Sequence, residues 1–113
     1  MAMEDPQFLN RAFAALADPT RRAILAQLAK GEASVSELMM PFKLTQPTVS
    51  KHLKVLEAAG LIEQGRDAQR RPRRLRLATL QLVDEWIAPF REQWERRLDN
   101  LERHLARKQS GEP

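Results

Sequence analysis

Thr45-Gln46-Pro47-Thr48-Val49-Ser50-Lys51-His52-Leu53-Lys54-Val55-Leu56-Glu57-Ala58-Ala59-Gly60 is the stretch on which the fold of this chain turns. The Thr45 hydroxyl suits the cap of a helix, where free backbone N–H groups need an acceptor. Pro47 falls in the first turn, where a missing N–H costs nothing. Gly60 supplies the left-handed residue that commonly closes a helix. The stretch therefore predicts a helix of about four turns. At about 100° per residue, Val49, Leu53 and Leu56 share one narrow stripe. Pro47, Lys51, Lys54 and Ala58 lie opposite, flanked by Thr48 and Ser50. A helix that enters a DNA major groove needs this face. Short side chains allow close approach, amides and hydroxyls meet base edges, and lysines meet phosphates or guanine. His52 flanks the apolar stripe and reads first as a packing residue, second as a phosphate contact.

Ahead of this helix, the segments read as three more. From Pro6, the residues Phe8, Leu9, Ala12, Phe13 and Leu16 repeat at helical spacing and predict a helix ending near Ala17. Residues 1–5 read as a loose end. Asp18-Pro19 is a cap followed by a first helical residue, and Ala23, Ile24, Leu25 and Leu28 point inward before Gly31. Arg21 and Arg22 fall in that helix's first turn, where the macrodipole disfavours cations. Ser34 or Ser36 caps a short third helix, with Glu37 placed to complete a capping box from Ser34. Val35, Leu38 and Met39 form its apolar side, and Pro41 limits it. Met39 and Met40 read as core rather than as soft metal ligands. A short helix, a turn anchored by Phe42 and Leu44, and the helix from Thr45 make a helix-turn-helix.

Beyond Gly60, Leu61-Ile62-Glu63-Gln64 reads as a strand, residues 65–72 as a loop, and Arg73-Arg74-Leu75-Arg76-Leu77 as the returning strand. This hairpin is a wing. Arg66, Arg70, Arg71, Arg73, Arg74 and Arg76 make six of residues 66–76 arginine. So much like charge invites a polyanion, and arginine suits phosphates and narrow minor grooves.

Charge follows the same plan. The 113 residues carry 19 Lys/Arg and 15 Asp/Glu, a net +4, and the pI is about 10.1. Residues 1–44 hold five cations and five anions, residues 45–76 eight and three, residues 77–113 six and seven. The excess begins at the helix first described.

From Thr79 the helical period returns. Leu80, Val83, Ile87, Phe90, Trp94, Leu98, Leu101 and Leu105 are spaced nearly as heptads. A kink or break is expected just before Pro89. Glu92 with Arg96 and Asp99 with Arg103 pair along the polar side, and residues 108–113 fray. So long an apolar stripe needs a cover, and a second copy of the chain is the economical one. On this reading Ile87, Phe90, Trp94, Leu98, Leu101 and Leu105 form a dimer interface; Phe8 and Phe13 read first as plain core and are also assigned to that interface.

Composition narrows the function. Absent cysteine excludes disulfides and thiolate metal sites. No apolar run approaches the ~20 residues of a membrane helix, and no signal-peptide pattern opens the chain. A soluble, cytoplasmic protein is the default. An enzyme would need a nucleophile–base pair, a metal set or carboxylates in a pocket. The two histidines are distant and the carboxylates scattered, so no enzyme and no cofactor is expected. Two further readings stay open: a winged-helix module for protein partners, and a ligand-responsive regulator with a pocket near Trp86 and Trp94.

Taken together, Leu16–Leu25, Ser36-Glu37-Leu38 and Thr45–Ile62 resemble the arsenical-resistance-repressor (ArsR) family of bacterial winged-helix regulators, over about residues 8–78. The resemblance implies a mainly helical winged helix-turn-helix fold with a small β-hairpin. It implies a homodimer paired through the first and last helices, with residues 45–60 in the major groove of a double-stranded operator, usually as a repressor. The family's base-reading positions match Gln46, Pro47, Ser50 and Lys51. Its metal sensors use cysteines near the third helix or Asp/His/Glu sets on the last. Here those segments read Ser36-Glu37-Leu38-Met39-Met40-Pro41 and a lone His104, so no metal is expected.

The resulting assignment is one domain, with a winged helix-turn-helix portion at 6–78 and a dimerisation helix at 79–108. DNA contact falls to Thr45, Gln46, Pro47, Thr48, Ser50, Lys51, Lys54, Arg66, Arg70, Arg71, Arg73 and Arg74. The expected operator is an imperfect inverted repeat.

Overall fold

A computed structural model describes residues 6–67 and 69–111. The loose end expected at 1–5 and the last two residues of the expected frayed tail lie outside the described residues. The elements run α1 (Pro6–Leu16), α2 (Pro19–Leu28), α3 (Val35–Phe42), α4 (Gln46–Ala58), β1 (Ile62–Gln64), β2 (Arg73–Leu75) and α5 (Leu77–Gln109). Two compact units divide the chain, one up to Gln81 and one from Leu82.

In the first unit, α1, α2 and α4 pack on one another, and α3 packs on α4. Ile24, Leu38, Val49, Leu53, Leu56 and Leu61 are fully buried at their junction. All but Leu61, which lies between α4 and β1, are inward positions that the helical period predicts, and burying each such side chain stabilises the fold by about 1.5–3 kcal/mol. Phe8, Ala12 and Ala15 add the inner face of α1. Caps fix the helix starts. Asp18 accepts from the Arg21 N–H at 3.0 Å. Ser34, not Ser36, caps α3, and the capping box with Glu37 is complete. Thr45 accepts from the Thr48 N–H at 3.4 Å.

The two arginines at the start of α2 face the end of the helix before it. Arg21 donates to the carbonyls of Ala15 (2.7 Å) and Ala14 (3.1 Å), and Arg22 to that of Leu16 (2.8 Å). Cations disfavoured by one helix's N-terminus thus satisfy the free carbonyls of another's C-terminus.

β1 and β2 pair antiparallel, with Ile62 opposite Leu75, Glu63 opposite Arg74 and Gln64 opposite Arg73. A third segment joins them, which the sequence did not reveal. Ala33 and Arg73 exchange both backbone hydrogen bonds, at 3.0 and 2.7 Å. The wing is therefore rooted in the loop before α3. Gly65 closes the hairpin by donating to the Pro72 carbonyl at 2.7 Å. A side chain on Gly65 would sit 2.9 Å from the Pro72 ring. β2 is shorter than expected, because the chain turns at Arg76 and α5 starts at Leu77 instead of Thr79.

Both internal prolines are absorbed within helices. Pro41 lies inside α3, which continues to Phe42. Pro89 lies inside α5, and the helix is not broken there. The residues around the freed Glu85 carbonyl are exposed, so that carbonyl is open to solvent where the N–H is missing. An ion pair from Arg91 to Asp84 at 2.7 Å spans the same turns. Arg103, expected to pair with Asp99, donates instead to Asn100 at 2.8 Å.

In the second unit, Val83 is buried, and the apolar stripe of α5 is exposed from Ile87 onward. Ile87, Phe90, Trp94, Leu98, Leu101 and Leu105 are all exposed, between 38% and 63%. Trp86 and Phe90 pack with ring centroids 5.1 Å apart.

Candidate nucleic-acid interface

α4 presents the outer face that its sequence predicts. Thr45, Gln46, Pro47, Thr48, Lys51 and Lys54 are exposed and Ser50 is half-buried, while Val49, Leu53 and Leu56 carry the helix into the core. The Thr45 and Thr48 hydroxyls also share a hydrogen bond at 2.9 Å, which steadies the first turn. His52 is half-buried and its Nδ1 has no partner among the described residues, in keeping with packing first.

The turn before α4 is tight and irregular in composition. The Leu44 N–H reaches back to the Met39 carbonyl and the Lys43 N–H to that of Met40, both at 3.4 Å. This is the paired closure that places one left-handed residue after a helix. Here that residue is Lys43, with φ 53 and ψ 39. Met40, expected in the core, is 80% exposed. Leu38 and Val49 already fill the α3–α4 junction, which leaves Met40 on the outer side of α3.

The six wing arginines differ sharply in environment. Arg73 is nearly enclosed: its Nε donates to the Glu57 carboxylate of α4 at 2.6 Å, with side-chain exposures of 13% and 29%. Arg74 pairs with its cross-strand neighbour Glu63 at 3.1 Å. Arg70 reaches the Glu37 carboxylate at the start of α3. Glu37 also accepts from the Ser34 N–H at 3.0 Å. That backbone bond first, then the Ser34 hydroxyl and Arg70, hold its carboxyl below the ordinary carboxylate range. Arg66, Arg71 and Arg76 are exposed and make no side-chain ion pair among the described residues. The tip is shaped by Asp67, whose carboxylate accepts from the N–H groups of Gln69 (3.1 Å) and Arg70 (3.3 Å).

Two residues have surroundings that bear on their assignment. Arg73 is paired with Glu57, and nothing in the sequence pattern singles it out among six arginines. Phe8, read as core first and also assigned to a dimer interface, is 8% exposed, enclosed in the first unit. Phe13 is 37% exposed on the same helix.

Beside Phe90 and Trp94 lies an open depression of about 170 Å³, lined by Phe90, Gln93, Trp94 and Arg97 of α5. Among the described residues, no three His, Asp or Glu side chains converge as a metal site. Among the described residues, no helix is long and apolar enough to cross a membrane.

Known proteins share this arrangement. Residues 18–64, from the cap of α2 through β1, match the bacterial regulatory proteins of the arsR family. Over 53 residues the chain is 51% identical to the HTH-type transcriptional regulator Rv2034 of Mycobacterium tuberculosis, covering 47% of this chain and 50% of that protein. Over 82 residues it is 33% identical to the transcriptional repressor SdpR of Bacillus subtilis, covering 73% of this chain and 91% of that protein. The chain thus spans half the length of the first relative and most of the second. The crystal structure of an ArsR family transcriptional regulator superposes with a TM-score of 0.69 at 40% identity, over 81% of this chain and 95% of the other.

Proposed function

The chain belongs to the arsR family of bacterial regulatory proteins, and on that footing we propose that it is a homodimeric, sequence-specific DNA-binding repressor of the bacterial cytoplasm. α4 enters the major groove of an operator, and the wing follows the flanking backbone and minor groove. Gln46, Ser50 and Lys51 read bases, and Pro47 adds an apolar contact. Thr45, Thr48 and Lys54 meet phosphates. Arg66, Arg71 and Arg74 act from the wing.

One observation carries this reading. The polar outer face of α4 and the basic wing are fixed to each other by the Arg73–Glu57 pair. A groove-reading helix and its flanking anchor have to keep their spacing if both are to engage one duplex. A winged-helix module for protein partners has no need of that spacing, nor of the exposed Arg66, Arg71 and Arg76.

Dimerisation rests on α5. Six large apolar side chains exposed along one stripe form a surface that single chains in water rarely leave bare. Their near-heptad spacing fits a second copy. Metal plays no part in this reading, because the third and last helices lack the family's sensing ligands. Operator affinity is then the same with zinc, with arsenite and with chelator.

Selection of binding sites from random duplex DNA tests the proposal. An enriched inverted repeat supports it. Uniform recovery of sequences, with no enrichment over repeated rounds, contradicts it.

A further inference from the structure

Helices α3 and α4 end in the same way. After α4, Leu61 N–H bonds the Leu56 carbonyl at 3.0 Å and Gly60 N–H that of Glu57 at 2.9 Å, and Gly60 takes φ 74. After α3, Leu44 and Lys43 make the same two bonds, and Lys43 takes φ 53. The left-handed position therefore holds glycine in one closure and lysine in the other. Glycine adopts this conformation freely, whereas a side chain strains it.

Among the described residues, one other non-glycine has a positive φ: Arg71, at 46. It too is an exposed cation, in the wing. Strained backbone persists where something else over-determines it, commonly a functional contact. A lysine after α3 also complements that helix's negative end. Arg71 follows no helix, so this does not account for the pair. Lys43 stands two residues before Thr45, the cap of the groove-facing helix, and Arg71 stands in the wing.

We propose that Lys43, two residues before the cap of α4, is a DNA phosphate contact, working with Arg71 of the wing as a second backbone anchor. This rests on the DNA-binding reading above. The strain is present with or without DNA, so a long cation is kept at each left-handed position for the contact it makes and not for stability.

The experiment measures binding of the full chain to a mixed-sequence duplex of about 30 base pairs, by fluorescence anisotropy, from ~50 to ~200 mM salt. The variants are Lys43→Ala, which keeps the strain, Lys43→Gly, which relieves it, and the same changes at Arg71. Lys108→Ala makes an equal change in net charge. Both Lys43 variants should lower the salt slope by about 0.9 log unit. Lys43→Gly should melt about 5 °C above Lys43→Ala. Arg71 should behave alike, and Lys108→Ala should leave the slope unchanged. Wild-type slopes in the Lys43 variants overturn the proposal. An equal loss in Lys108→Ala also overturns it, by assigning the effect to net charge. Failure of the wild-type chain to bind any duplex overturns the DNA reading itself, and this proposal with it.

Discussion

Arg73 of the wing and Glu57 of the recognition helix are joined at 2.6 Å, both largely withdrawn from solvent. The same residue exchanges backbone hydrogen bonds with Ala33. One arginine therefore ties the hairpin to the loop before α3 and to the side of α4. Glu57→Ala would leave a mostly enclosed guanidinium with the Arg71 carbonyl as its remaining acceptor, at a cost of about 1–2 kcal/mol after allowance for partial exposure. Urea unfolding should show the loss as a lower midpoint with an unchanged slope. DNA affinity should fall as well, although Glu57 is an anion and its removal adds positive charge. A rise in affinity would mean that Glu57 merely repels DNA.

Base reading and backbone attraction should separate by mutation. Replacing Gln46, Ser50 or Lys51 should change sequence preference, with each good base contact worth about 1–3 kcal/mol. Replacing Arg66 or Arg74 should weaken all sequences alike and flatten the salt dependence by about 0.9 log unit per lost phosphate contact. Arg70 should behave like them once DNA displaces its bond to Glu37. Competition binding on operator and random duplex would distinguish the two groups. Altered preference from the wing variants alone would invert the assignment.

Acid should weaken the helix starts. The Arg21 N–H holds the Asp18 carboxyl below its ordinary range, and the Ser34 N–H does the same for Glu37. A carboxylate whose folded pKa is depressed adds stability above its unfolded pKa and loses it as pH falls through the folded one. Asp18→Ala and Glu37→Ala should therefore lower Tm at pH ~7, with the gap to wild type closing below about pH 4. Thermal melts across pH would test this. A gap that persists undiminished at pH ~2 would place the effect in packing rather than in the carboxylates.

The stripe on α5 should govern assembly. Leu98 and Leu101 are 41% and 52% exposed in the single chain. Changing both to Asp removes little that the isolated chain buries, so the fold of the first unit should survive. Light scattering should give half the wild-type mass. A wild-type chain that is already a stable monomer would remove the argument.

What the sequence revealed was local. The bounds of α4 follow from Thr45, Pro47 and Gly60, each acting within a turn of its own position, and its buried stripe from spacing alone. The outer face of α4 was legible for the same reason. What stayed hidden depends on partners distant in the chain. Arg73 looks like any wing arginine until Glu57, sixteen positions earlier, stands beside it. Ala33 carries no alternating pattern, since a one-residue bridge needs none. Arg21 and Arg22 appeared misplaced until the carbonyls of α1 came to face them. Pro89 predicted a kink or a break, and the break does not occur; pattern alone does not show that its neighbours are open to water.

The account's central claim is that two copies of α4, related by a two-fold axis, read one face of DNA. Both helices reach successive major grooves only if they lie roughly 34–36 Å apart, so the selected site should be an inverted repeat with half-sites centred about 10 base pairs apart or a multiple of that. Narrow A/T-rich minor grooves should flank it, where wing arginines find the strongest negative potential. The most direct measurement is footprinting on that site before and after insertion of about 5 base pairs between its halves. The account predicts protection of both half-sites and their flanks, and loss of tight binding on insertion. A single unrepeated footprint, or affinity indifferent to the insertion, would contradict it.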